Sequence, residues 1–295
     1  MIERSGLVAV IGRPNTGKST LVNAMLGEKL SIVSPKPQTT RQRICAVLQE
    51  GTTQLVLLDT PGFHSSARTR LGEYMSRTVR ESVSETDAAL LVVEPTPNIG
   101  DTEADLIGQL KKVKCPVYLV INKIDLIEKE KIFDIIEQYK AVHNFTGYVP
   151  VSAKRKDGIS LLKELLLPLM PSGPALFPEG MSTDTPDKLL IAELIREKVL
   201  FSMQDEIPHG VAVITERLRE RDDGLVEIEA TLYCEKQRHK GMLIGKNGQM
   251  LQKIGTAARL ELEGMYEGKV ALKLWVKVKE DWRDNPSVLQ SLGYQ

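Results

Sequence analysis

The sequence predicts two domains: a doubly wound α/β domain with a mostly parallel sheet, then a smaller α+β domain. Three observations carry this reading. Over about the first 170 residues, short apolar runs alternate with helix-patterned segments; five of the fifteen prolines then fall between positions 168 and 187; beyond them, strands of alternating apolar and polar residues take over. Strands that are apolar along their whole length are buried on both faces, as in a parallel sheet covered by helices. Proline fixes φ and cannot donate to a helix or a ladder, so the proline cluster reads as a linker. The expected boundaries are 1–170 for the first domain, 171–187 for the linker and 188–295 for the second domain.

Taken in order, the strand-like runs of the first domain are Leu7 to Ile11, Ile44 to Leu48, Leu55 to Leu58, Ala88 to Val93, Val117 to Ile121 and Tyr148 to Val151. The second domain opens with a helix pattern from Lys188 to Phe201. Its stripe Leu190, Ile191, Leu194, Ile195 and Val199 reads as core packing, because its neighbours Glu193, Glu197, Asp205 and Glu206 are acidic where a membrane-surface helix is normally basic. Alternating runs at Val211 to Leu218 and Leu225 to Tyr233 follow, then a Gly-rich turn, a helix pattern from about Gln249 to Met265 and a last alternating run at Val270 to Val278.

Composition narrows the function classes. The 295 residues balance 39 basic against 39 acidic side chains and are 42% hydrophobic, which excludes a largely disordered chain. The longest apolar stretches fall far short of the roughly 18–20 residues of a membrane span. The first strand-like run begins too early for a cleavable leader, so the expected compartment is the cytoplasm. Cys45, Cys115 and Cys234 show no Cys-x-x-Cys spacing and read as reduced, mostly buried residues. A net charge of zero, at face value, argues against a polyanion partner.

Gly12-Arg13-Pro14-Asn15-Thr16-Gly17-Lys18-Ser19-Thr20 fits the phosphate-loop pattern G-x-x-x-x-G-K-[ST], after an apolar strand and before a helix pattern. Glycines let backbone N–H groups wrap phosphates at a helix N-terminus, Lys18 reaches the outer phosphates and Ser19 ligates Mg²⁺. The base-reading residues decide between nucleotides. Asn122-Lys123-Ile124-Asp125 projects from the C-terminal end of a strand, where ligands bind in open α/β sheets. The Asp125 carboxylate can accept two N–H donors from guanine, a pair that adenine lacks. Asn122 either hydrogen-bonds towards the base or holds the phosphate loop, and the stem of Lys123 covers the ring. Ser152-Ala153-Lys154 offers a backbone N–H to the guanine carbonyl. In Asp59-Thr60-Pro61-Gly62, Asp59 holds Mg²⁺ through a water and the Gly62 N–H senses the γ-phosphate.

With these motifs in order, the chain resembles the translation-factor-related GTPases. The resemblance implies that Thr40, or alternatively Thr39, of Thr39-Thr40-Arg41 ligates Mg²⁺ in the GTP state, and that Lys18, Thr40 and Gly62 carry catalysis. Phe63 stands where Ras-like enzymes place a water-orienting Gln, so intrinsic turnover is expected to be slow. Some relatives with Asn at the position of Asn15 use it to bind K⁺, which makes K⁺-stimulated hydrolysis an expectation. Lys36, Arg41, Arg43, Arg68 and Arg70 flank the two switch segments and read as solvated surface charge, with internal arginine fingers as the alternative.

In the second domain, Gly245-Lys246-Asn247-Gly248 has the G-x-x-G form of a KH turn, at which nucleic-acid backbone approaches closely. In the final strand Leu272, Leu274, Val276 and Val278 point one way and Lys273, Trp275, Lys277 and Lys279 the other. The basic face with its aromatic suits backbone contact and base stacking, or else is a solvated outer face. The candidate RNA contacts are Gly245, Lys246, Asn247, Gly248, Lys240, Lys273, Trp275 and Lys277.

A phosphate-loop GTPase domain joined by a short proline-rich linker to one type II KH domain resembles the Era-like GTPases. The segments carrying the resemblance are Pro37 to Arg41, Asp59 to His64 and Gly241 to Gln249. It implies GTP hydrolysis with Mg²⁺, coupled to assembly and maturation of the small ribosomal subunit. It further implies a KH domain on the small-subunit ribosomal RNA near its 3′ end, peripheral association with the cytoplasmic face of the cell membrane, and a monomer. Two other classes remain open: a constitutive RNA-binding scaffold, and a phosphate-loop kinase, which Asn122 and Asp125 disfavour.

The zero net charge divides unevenly. Residues 176–235 hold 6 basic and 14 acidic side chains, whereas residues 236–279 hold 10 and 3. The basic segment contains the Gly245 turn and the last strand, so the expected field is positive where phosphates would lie.

Overall fold

In a computed structural model of the chain, the structure describes residues 1–63, 69–96, 98–203 and 207–294. His64, Arg68, Asp205 and Glu206 lie outside the described residues. The chain forms two compact units, Met1–Arg68 with Gly72–Asp184, and Thr69–Leu71 with Thr185–Gln295.

The first unit holds a six-stranded sheet of β1 (Arg4–Ile11), β2 (Ile44–Glu50), β3 (Thr53–Asp59), β4 (Ala88–Val93), β5 (Val117–Ile121) and β6 (Gly147–Pro150), in the order β2-β3-β1-β4-β5-β6. Every neighbouring pair is parallel except the hairpin β2–β3. Its helices include α1 (Lys18–Leu26), α2 (Arg70–Ser84), α3 (Asp101–Leu110), α4 (Glu130–Val142) and α5 (Ile159–Leu166). The strands are apolar throughout because both faces are covered. Val8 and Val10 enter one core with Leu21, Met25 and Leu162, while Ala9 and Ile11 enter the other with Val79, Leu106 and Tyr139. Loops at the strands' C-terminal ends therefore converge on one edge of the sheet.

The proline-rich segment is fastened rather than free along most of its length. The Ser5 hydroxyl donates to the Pro174 carbonyl at 2.6 Å, and the Gln54 carboxamide bonds the backbone of Leu176 and Phe177 at 2.8–2.9 Å. The Val47 N–H donates to Ser182 at 2.7 Å. Residues 171–184 therefore belong to the first unit, because paired backbone holds them against β1, β2 and β3.

The second unit packs α6 (Asp187–Ser202), α7 (Gln237–Ile244) and α8 (Gln249–Met265) against a sheet ordered β7 (Ala212–Glu220), β8 (Val226–Cys234), β9 (Val270–Val278); α9 (Pro286–Ser291) closes the chain. β7 and β8 are antiparallel and β8 and β9 parallel. Ile191, Ile195, Ile228, Leu232, Ile254 and Leu262 are completely buried between helices and sheet. Two acids read from the sequence as neighbours of the α6 stripe, Glu193 and Glu197, are buried as well. Glu193 pairs with the buried Arg196, and Glu197 accepts from Lys198 at 2.6 Å. Cys45 and Cys234 are buried, Cys115 is partly exposed, and all three are free thiols. Among the described residues no helix is long and apolar enough to cross a membrane.

Candidate functional site

A cavity of about 730 Å³ opens at the C-terminal ends of β1, β4 and β5. The phosphate loop forms one wall. It runs from Gly12 (φ +156°), where a Cβ would sit 2.3 Å from the Val92 carbonyl oxygen, to Gly17 (φ +91°), where a Cβ would sit 2.3 Å from the Asn122 amide nitrogen. Both positions need glycine for room as well as for φ. Lys18 opens α1 and is buried, its ammonium donating to the carbonyls of Gly12 at 3.2 Å and Arg13 at 2.8 Å. Burial lowers its pKa to about 8, and nearby Asp59 opposes the shift.

Asn122 holds the loop. Its amide donates to the Thr16 carbonyl at 2.8 Å while its side-chain oxygen accepts the Ala153 N–H at 3.0 Å, so one buried side chain ties the phosphate loop to the Ser152–Lys154 turn. Asp125 lines the cleft where the base would lie. The Ser152 hydroxyl donates to one of its oxygens at 2.6 Å and holds its pKa below the usual carboxylate value, and its other oxygen is 3.8 Å from the Arg155 guanidinium. Lys123 (φ +64°) folds back on the loop, donating to the Asn15 carbonyl at 2.6 Å and to Glu94.

At the other end, the Ser19 and Thr40 hydroxyls lie 2.8 Å apart, whereas the Thr39 hydroxyl is turned onto the Lys36 carbonyl at 2.6 Å. Asp59 is completely buried, and neither of its carboxylate oxygens has a hydrogen-bond partner. Burial raises its pKa, and the nearby Ser19 and Ser31 hydroxyls and the Lys18 charge act the other way. A buried, unsatisfied carboxylate beside two converging hydroxyls fits a small hard cation such as Mg²⁺. Thr60 donates to the Val10 carbonyl at 2.7 Å. Gly62 backs onto Pro14 so closely that a Cβ would meet it at 2.7–2.8 Å, and the Phe63 N–H donates to the Gly12 carbonyl at 3.1 Å. The Phe63 side chain is buried in the core.

The cavity is lined by Pro14, Asn15, Gly17, Lys18, Ser19, Thr20, Thr40, Gly62, Asn122, Lys123, Asp125, Ala153 and Lys154 among the residues expected from sequence. Gly12, Arg13, Thr16, Asp59, Thr60, Pro61 and Ser152 do not line it. Arg41 departs from the expectation of solvated charge, being completely buried. Sequence reasoning missed Ile32, Val33, Ser34, Pro35, Gln38, Glu94 and Leu126 in the lining; residues of an irregular loop, or a lone acid or aliphatic after a strand, carry no local signal.

The second unit offers a groove of about 320 Å³ beside the Gly245–Gly248 turn. Gly245 (φ +72°) is required, since a Cβ would approach the Met250 backbone nitrogen to 2.9 Å; at Gly248 the space is open. The groove is lined by Gly248, Leu251, Gln252, Gly255, Thr256 and Arg259 along α8 and by Leu272 and Leu274 of β9. This groove lies on the other side of β9 from the strand residues expected to contact RNA. Lys273, Trp275 and Lys277 alternate with the groove-lining leucines and so occupy the opposite face of β9. There Lys273 lies 4.0 Å from Glu229 and Lys277 3.8 Å from Glu216, leaving Trp275 42% exposed among compensated charges. Lys240 is partly buried on α7. The groove-lining helix residues Gln252, Gly255, Thr256 and Arg259 form a small and polar stripe beside the core stripe Ile254, Ala258 and Leu262.

Comparison with known proteins identifies both domains. Residues 7–123 match the family described as 50S ribosome-binding GTPase, and residues 206–283 match the KH domain family. The chain is 49% identical to GTPase Era of Ruminiclostridium cellulolyticum over 100% of its own length and 99% of the relative's. It is 46% identical to GTPase Era of Caldanaerobacter subterraneus subsp. tengcongensis over the same shares. The crystal structure of Era in complex with MgGDPNP and nucleotides 1506–1542 of 16S ribosomal RNA superposes with a TM-score of 0.95 at 36% identity, covering 99% of each chain. With full-length identity near one half, a GTPase cleft and a KH turn on one chain, the protein belongs to the Era family of GTPases.

Proposed function

We propose that this GTPase binds guanine nucleotide and Mg²⁺ in the cleft of its first unit, binds small-subunit ribosomal RNA near its 3′ end through its KH unit, and acts in assembly and maturation of the small ribosomal subunit. The observation that carries the nucleotide reading is Asp125, a carboxylate kept ionised by Ser152 at the end of the cleft away from Lys18 and Asp59. A purine with two adjacent N–H donors, which guanine has and adenine lacks, matches this acceptor. Ser19, Thr40 and Asp59 would hold the metal, which supplies charge neutralisation at the outer phosphates. Lys18 contributes a positive charge from a water-poor site, where it acts more strongly than in solvent. The buried Phe63 side chain cannot orient water, so that task falls to backbone groups around Gly62, and turnover is slow. Titration of the protein with GTP and ATP in Mg²⁺ buffer tests the reading; equal affinity for the two would refute it.

RNA lies in the α8–β9 groove, its backbone against Gly245–Gly248 and its bases over Leu272 and Leu274. Support comes from the open approach at Gly248 and the apolar groove floor beside it. Asn15, exposed at the rim of the cleft, adds a K⁺ ligand that stimulates hydrolysis; equal rates in matched K⁺ and Na⁺ buffers would remove this part. The family resemblance also supports a cytoplasmic monomer that associates peripherally with the membrane, which light scattering and vesicle flotation test.

A further inference from the structure

Glu94 follows β4, the strand between β1 and β5, and this position places it between the phosphate loop that follows β1 and the base-reading loop that follows β5. The end of β4 touches both loops through its backbone. The Val92 carbonyl lies against Gly12, and the Val93 carbonyl accepts the Asn122 N–H at 2.9 Å. The Glu94 side chain repeats the bridge with charge: one oxygen accepts from the Lys123 ammonium and the other lies 3.6 Å from the Arg13 guanidinium. Arg13 is anchored from behind by Glu103, a buried acid of α3 that binds it at 2.9 Å and also accepts the Gly100 N–H at 3.0 Å. The chain of contacts runs Glu103, Arg13, Glu94, Lys123 and then the Asn15 carbonyl, closing a ring on the phosphate loop.

From this geometry we infer that Glu94 is a positioning residue for guanine nucleotide, fixing the Lys123 stem across the phosphate loop before the base arrives. The inference rests on the proposed use of the cleft. Lysine has four rotatable bonds, and ordering such a side chain at a binding site costs on the order of 0.5–1.5 kcal/mol. A carboxylate that has already fixed the ammonium removes that cost from binding. The ion pairs are each about 30% exposed on the side chains of Arg13, Glu94 and Lys123, so they add little to folding.

The test uses the full chain. Wild-type affinity for GDP is measured first; if GDP does not bind, the proposed use of the cleft fails, whatever Glu94 does. Given binding, Glu94→Gln should weaken GDP and GTP alike by about 3- to 10-fold, the factor equivalent to that ordering cost. The maximal hydrolysis rate and the melting temperature without nucleotide should stay unchanged. Glu94→Asp, which keeps the charge, should recover part of the loss and serves as the test variant if Glu94→Gln does not fold. In a Lys123→Met background, Glu94→Gln should have less than a 2-fold effect. Wild-type affinity in Glu94→Gln, or an equal loss in both backgrounds, would overturn the inference.

Discussion

The two units use glycine in opposite ways. In the phosphate loop, Gly12 and Gly17 are filled in from outside: the β4 backbone and the Asn122 amide occupy the space where a side chain would be. In the KH turn, Gly245 is packed in the same manner against Met250, but Gly248 faces open space. The first loop is a finished cradle, braced by a residue from a distant strand before any ligand comes. The second is a rim beside a groove, and its fit depends on the partner. Nucleotide recognition should therefore respond sharply to single substitutions and RNA recognition in small steps.

The largest effect that would break this comparison is at Asp125. Asp125→Asn replaces an acceptor by a donor where guanine donates, so GTP affinity should fall by at least 100-fold while xanthosine triphosphate gains. Competition binding with the two nucleotides measures it, and unchanged preference would mean that the base lies elsewhere. Next, Asn122→Ala removes both bonds that hold the phosphate loop. Because its amide is spent on Thr16 and Ala153, guanosine, inosine and xanthosine diphosphates should all weaken by one common factor, about 10-fold or more. A loss confined to guanosine diphosphate would show that Asn122 reads the base instead.

In the KH unit, Arg259→Ala or Leu274→Ala should weaken binding of single-stranded 3′-end ribosomal RNA about 3- to 10-fold. Lys273→Ala and Lys277→Ala on the opposite face should change it less than 2-fold. The reverse order in a fluorescence-anisotropy titration would restore the basic strand face as the RNA surface.

The last effect concerns pH. The Lys18 pKa, about 8 in the free protein, should rise when anionic phosphates bind beside it. Below pH 8 the lysine is already charged and binding takes up no proton; above it, binding must protonate Lys18, so affinity declines with rising pH by at most tenfold per unit. The same shift makes folding stability rise between pH 8 and the unfolded value of 10.5, because there the unfolded chain binds more protons. Calorimetry of GDP binding at pH 9 in buffers of different ionisation enthalpy should report proton uptake.

Much of the cleft was legible in the sequence because its motifs are contiguous and each dictates a local backbone shape. The choice between Thr39 and Thr40 was not legible. It depends on which hydroxyl the chain turns towards Ser19, and only the folded loop, with Thr39 spent on Lys36, fixes that. Arg41 was misjudged for a related reason, since a charge in a polar segment reads as solvated until tertiary packing encloses it. The fastened stretch 171–184 escaped because its partners, Ser5, Val47 and Gln54, lie more than 120 positions away. In β9 the alternation separated the two faces, but the groove beside Leu272 and Leu274 was not legible. The acids that face its lysines, Glu229 of β8 and Glu216 of β7, come from neighbouring strands whose register is invisible in one strand.

The approach of Gly17 to Asn122 has a consequence for how such a chain can change over generations. Any side chain at position 17 collides with the amide at 122, and any residue at 122 short enough to yield gives up the bonds to Thr16 and Ala153. Each single step is disabling whichever is taken first. The two positions, separated by 105 places in the sequence, thus behave as one heritable unit: the positive φ keeps glycine at 17 whatever stands at 122, and the residue at 122 is held to one that packs against a bare backbone.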